Sequence, residues 1–181
     1  MPMQPRSHPV VEWSVLTFRV LLLGVLSIAV ALPWGLGDAG TVSLALSLSA
    51  LLGAWALNAR GSVPLVFVFL SGIIVDAATG SPLGYWAFLF LFATGVARQL
   101  HTLVDGFGWI GRFLSLGITM SLVGFVAWAV ASLFQQNVAD LWPFARGTLV
   151  AIVAAYPMAY VLDVLEATLI RNPVGALMDE I

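Results

Sequence analysis

Long apolar runs alternate with short polar punctuation along the whole chain. A helix needs about 20 apolar residues to cross the hydrocarbon core of a bilayer. Six runs approach that length, at roughly 14–32, 41–57, 63–79, 83–97, 113–134 and 144–170. The punctuation between them carries helix-terminus chemistry. Pro33, Gly35 and Gly37 close the first run, and Gly61 and Pro64 open the third. Pro64 falls in a first turn, where its missing N–H costs little. Pro82 opens the fourth run, Pro143 precedes the sixth and Pro173 follows it. Pro157 lies inside the sixth run and removes the bond to the Val153 carbonyl, which predicts a kink. The longest connection runs from Arg98 to Arg112. Leu100, Leu103, Val104 and Phe107 recur there at helical spacing, which predicts a short interfacial helix.

Composition decides which solvent these runs face. Hydrophobic residues make up 61% of the chain and charged residues only 9%. A soluble domain carries about 25% charged residues. So little charge does not cover a water-facing surface, and lipid is the expected solvent. The reading is an all-α integral membrane protein with about six transmembrane helices. It forms a single polytopic domain over 1–181, with cytoplasmic tails at 1–13 and 171–181.

Arginine sets the expected orientation. All seven basic residues are Arg. With the N-terminus inside, Arg6, Arg60, Arg98, Arg112 and Arg171 fall on the cytoplasmic side. Arg19 is expected to snorkel there from the first run, and only Arg146 falls outside. Tryptophan gives an independent pattern. Trp34, Trp86 and Trp142 map to an outer belt and Trp13, Trp55 and Trp109 to an inner one, with Trp128 deeper. The first run also has signal-peptide features, with basic residues ahead of it and Ala29-Val30-Ala31 near its end. Its length and the five runs that follow favour a retained helix.

Little in the chain supports catalysis. There is no Cys, which excludes disulfides and thiolate metal sites. His8 and His101 fall in a tail and a loop. No metal spacing such as H-E-x-x-H and no Gly-rich phosphate loop occurs. The Ser residues have no general base within helical reach. Ser43, Ser47 and Ser49 with Gly53, and Gly117, Ser121 and Gly124, instead make small faces that let membrane helices approach closely. No catalytic residue, cofactor, metal or nucleic-acid partner is expected.

The acids inside apolar runs are the exceptions. Asp163 and Glu166 lie one turn apart on one face in the inner half of the sixth run. Glu166, with Arg171 close by, reads as interfacial. Asp76 lies near the outer end of the third run, in SGIIVDAATGSPLGYWAF over 71–88. A carboxylate at such depth needs a partner or a purpose. It is expected to cap the N-terminus of the next helix and so lock the hairpin, or to be wetted from outside. A partner contact remains open, and so does a proton or ion path.

The hairpin Gly72, Asp76, Gly80, Pro82, Leu83, Gly84, with the chain length and about six spans with almost no loops, resembles the rod shape-determining protein MreD family. In that family an apolar segment ends in Asp, followed by a Gly-x-Pro-x-Gly-type turn and another apolar helix. The resemblance implies a non-enzymatic, multi-pass component of the bacterial inner membrane. Such proteins associate with MreC and, through it, with the MreB filament, RodA and penicillin-binding protein 2. They help maintain rod shape by organising lateral peptidoglycan synthesis. Only Gly72, Asp76, Gly80, Pro82 and Gly84 carry over, as structural or partner-contact candidates. Asp163 joins them from its position alone.

An alternative comes from another class. Six spans in this size range also resemble the substrate-binding S-components of energy-coupling factor transporters, which hold a vitamin or metal in a cavity open to the outside. Asp76, Tyr85 and Trp86 would line such a cavity. The short outer loops, poor in polar ligand groups, speak against it. An S-component-like bundle is compatible with both resemblances, so architecture alone does not separate them.

Overall fold

A computed structural model describes residues 9–32, 37–57, 63–104 and 108–155, with positions 157, 160 and 164. Among the described residues the chain is helical, with no strand. The helices are α1 Pro9–Ala31, α2 Gly37–Ala56, α3 Leu65–Thr79, α4 Tyr85–Val104 and α5 Gly108–Phe134, followed by α6 Leu141–Ala155. Asp163 and Glu166 lie outside the described residues, and so do the neighbours on which a kink at Pro157 depends.

Helix length decides how much of the membrane reading stands on geometry. The 23 residues of α1 and the 27 of α5 rise about 35 Å and about 40 Å. Each holds a window long and apolar enough to cross a bilayer, Trp13–Val30 and Ile110–Phe134. Shorter apolar stretches occupy α2, α3 and α6, at Gly40–Ala56, Leu65–Thr79 and Leu141–Ala155. The 15 residues of α3 rise only about 22 Å.

The interfacial helix expected between Arg98 and Arg112 is not a separate element. Residues through Val104 are the last turns of α4, and α5 already begins at Gly108. The reason is local: no Gly or Pro lies between Ala97 and Val104, so nothing stops the helix before Gly106.

The core is built around α4, which packs against α2, α3 and α5, while α1 leans on α3 and α2. Trp86, Leu89, Phe90, Ala93 and Ala97 of α4 meet Leu46, Leu51 and Trp55 of α2, with Val68, Met120 and Val123 in the same cluster. Small residues set the closest approaches. Gly53 faces Ala97, Leu116 and Thr119; Gly147 of α6 lies against Ser43 and Leu46; Gly124 of α5 lies against Thr148. The small face expected on α5 is therefore split. Gly124 packs inward, Ser121 is exposed, and nothing lies within 4 Å of a side chain placed at Gly117.

Buried hydroxyls bond to their own helices. Ser27, Ser49, Thr94, Ser115 and Thr119 each donate to the carbonyl one turn back. This satisfies the hydroxyl without a cross-helix partner. The exterior is as apolar as the core. Leu21, Val25 and Ile28 of α1, Val66 and Leu70 of α3, Leu122 and Phe125 of α5 and Val153 of α6 are all exposed. An apolar skin over several helices exceeds what a water-soluble monomer displays and gives the bundle membrane-like character.

One placement differs from expectation. Arg19 does not snorkel: it is 1% exposed, with its guanidinium carbon 5.9 Å from the Trp55 ring centroid. Trp55 and Trp86 are 2% and 3% exposed and pack in the core, whereas Trp13 and Trp142 are each 69% exposed. Both indoles in the core face neighbouring helices, which offer them more contact than a headgroup layer does. The Trp55 Nε1 finds no hydrogen-bond partner among the described residues.

Candidate functional site

The hairpin between α3 and α4 is organised by one carboxylate. Asp76 lies one turn before the end of α3, so its side chain can reach across the turn that follows. Gly80 ends the helix in the left-handed region at φ 67°, and Gly84 enters α4 at φ 95°. Both values disfavour any residue with a β-carbon. The Pro82 carbonyl accepts the Tyr85 N–H at 3.0 Å, closing the turn.

Asp76 then collects the donors that the turn leaves over. Its Oδ1 accepts the Ser81 hydroxyl and the Trp86 N–H, each at 2.8 Å. Its Oδ2 accepts the Gly84 N–H at 2.8 Å. Gly84 and Trp86 flank the first residue of α4, where backbone N–H groups have no partner within the helix. The positive end of the helix dipole also favours an anion there. The side chain is 0% exposed, so it is not wetted. The Thr79 hydroxyl lies 3.1 Å from the Ser81 oxygen and 2.7 Å from the Val75 carbonyl. Its single proton serves one of them at a time.

One turn below Asp76, Gly72 lies directly against Ala87. A β-carbon built on Gly72 would overlap the Ala87 backbone itself. The two helices therefore touch main chain to main chain at this level. Gly72, Asp76, Gly80, Pro82 and Gly84 thus all fall in one hairpin, with Asp76 making the bonds, Gly72 setting the spacing and the others shaping the turn. Asp163 lies outside the described residues.

Beside this hairpin, at the end of the bundle that carries the turn, lies a cavity of about 640 Å³. Tyr85, Trp86, Phe134 and Phe144 supply aromatic wall, and Thr41, Ser81, Gln135 and Asp140 supply polar groups. Asp76 does not line it; its carboxylate is spent on the cap beneath. The walls are cross-tied. The Tyr85 hydroxyl donates to the Ala127 carbonyl at 2.9 Å, joining α4 to α5. Trp128 Nε1 donates to the Ala139 carbonyl at 2.9 Å, and the Ala139 N–H donates to Ser132 Oγ at 3.1 Å. Asp140 Oδ1 accepts the Trp142 N–H at 3.1 Å and so caps α6. The Tyr85 and Trp86 rings meet edge to face at 5.0 Å.

Only the alternative transporter reading of the sequence put Asp76, Tyr85 and Trp86 at a cavity; Tyr85 and Trp86 line this one and Asp76 does not, and Thr41, Phe134, Gln135, Asp140 and Phe144 were not foreseen. These come from the start of α2, the end of α5, the loop into α6 and the first turn of α6. Turn signals marked that loop, yet nothing in their spacing tied it to the α3–α4 turn. No group of three metal-ligating side chains occurs among the described residues. No protein-family model matches the chain, and no curated protein or solved structure matches it either.

Proposed function

We propose that the chain is a non-enzymatic scaffold of the bacterial inner membrane, similar to MreD. It crosses the bilayer six times with both termini in the cytoplasm, and it organises lateral peptidoglycan synthesis by contact with an MreC-like partner and, through it, with the MreB filament, RodA and penicillin-binding protein 2. The observation that carries this reading is the hairpin of Gly72, Asp76, Gly80, Pro82 and Gly84. The strip that bears the resemblance is also a rigid unit, in which a buried acid is consumed by three donors and is not left free for proton or ion chemistry. The apolar exterior supports the membrane setting, and the bias of arginine supports the orientation. On this topology the turn and its cavity face outward. Affinity purification from native membranes tests the reading, with an MreC-like protein expected among the captured partners. Recovery of an energy-coupling ATPase module in its place would overturn it.

The cavity favours a second reading, an outward-facing binding component of a transporter. Its aromatic wall and volume fall within the range of small-molecule sites. Reconstituted transport that requires this chain would select that reading over the scaffold.

A further inference from the structure

The cavity at the turn end sets a carboxylate beside aromatic side chains. Among the described residues its lining includes one carboxylate, Asp140, and no Arg, Lys or His. A second carboxylate, Asp76, lies just beneath, bonded to Ser81 and Trp86, which themselves line the cavity. Hydroxyl and amide oxygens of Thr41, Ser81 and Gln135 complete the polar complement and all can accept. Around these stand Tyr85, Trp86, Phe134 and Phe144. Aromatic walls with a nearby acid are surroundings that stabilise an organic ammonium, through ring quadrupoles and direct Coulomb attraction. A strongly hydrated metal ion gains little from apolar walls.

We propose that this cavity binds a small organic cation, an ammonium group carried on an apolar body. The walls are held in place without a ligand by the Tyr85–Ala127, Trp128–Ala139 and Asp140–Trp142 bonds, so little ordering is required on binding. The site goes beyond the scaffold reading and does not rest on it. Failure to capture an MreC-like partner would remove that reading and leave this one standing.

The test uses the full chain in nanodiscs of phosphatidylglycerol, with empty discs as the reference for partitioning. Benzyltrimethylammonium is titrated against intrinsic tryptophan fluorescence. Neopentylbenzene, its uncharged isostere, and phenylacetate, an anion, are titrated alongside. The cation is expected to saturate, the isostere to bind at least about threefold more weakly, and the anion to give no saturable signal. Asp140→Asn keeps an N-cap for α6 but removes the charge, and is expected to weaken the cation about threefold at an unchanged melting temperature. Phe134→Ala, at an exposed position of the wall, is expected to weaken it similarly, and decides the matter if Asp140→Asn alters the melting temperature. Replacing part of the lipid with phosphatidylethanolamine identifies the source. Competition with the probe assigns the site to a headgroup ammonium, and undiminished binding assigns it to a soluble amine. Equal affinity for the isostere, an unchanged affinity in both variants, or no saturation above empty discs would overturn the proposal.

Discussion

Replacing Asp76 with alanine leaves the Gly84 and Trp86 N–H groups and the Ser81 hydroxyl without their acceptor. Water does not reach the fully buried position to compensate. The expected cost is about 3 kcal/mol, measured as unfolding in a fixed detergent. Asp76→Asn retains one acceptor oxygen and should recover only part of that loss. Glycine separates packing from backbone conformation in the same hairpin. Gly72→Ala places a β-carbon into the Ala87 main chain and should cost about 1–3 kcal/mol. Ala87→Gly is not expected to rescue it, because the obstacle is backbone. Gly80→Ala meets no atom within 4 Å, so its cost is the left-handed conformation alone, about 1 kcal/mol. An Asp76→Ala protein that unfolds like the parent would refute the hairpin lock. The residues of this turn were legible in the sequence because a tight reversal needs local chemistry. The burial of Arg19 against Trp55 was not, because snorkelling and burial demand the same side chain.

The hydrogen bonds around the cavity join α4 to α5 and α5 to the loop before α6. Tyr85→Phe removes the bond to the Ala127 carbonyl and should cost about 0.6 kcal/mol, a typical value for such bonds between membrane helices. Trp128→Phe frees the Ala139 carbonyl, and hydrogen exchange at the Ala139 amide is expected to rise while α2 and α4 remain protected. Faster exchange spread evenly over all helices would show that the tie is not local. The elements themselves were readable as apolar runs bounded by Pro and Gly, with α3 and α5 ending at or next to the expected residues. The extension of α4 to Val104 was not. The apolar run ends near Ala97 and the helical spacing beyond it predicts a separate interfacial helix, whereas the first helix-breaking residue is Gly106. In a membrane protein, polarity marks where lipid stops and backbone chemistry marks where a helix stops.

The proposed six-span arrangement makes a direct prediction for the whole molecule. The chain has no Cys, so single-cysteine variants give an unobstructed accessibility map. Gln136→Cys should react with an impermeant maleimide in intact spheroplasts, and Asn58→Cys only after permeabilisation. The opposite pattern would invert the topology. The amino-acid sequence by itself determined the membrane-like apolar character, the helical class, the approximate segments and the hairpin, because each follows from local hydropathy or from turn chemistry within a few residues. Tertiary structure alone decided which face of each helix is buried. Lipid is as apolar as a protein core, so inward and outward positions carry the same kinds of side chain, and Trp55 and Trp86 gave no sign that they point inward. Tertiary structure also made the cavity, whose walls come from the α3–α4 turn, the start of α2, the end of α5 and the entry to α6. No spacing rule connects segments so far apart in the chain; only packing brings them to one end of the bundle.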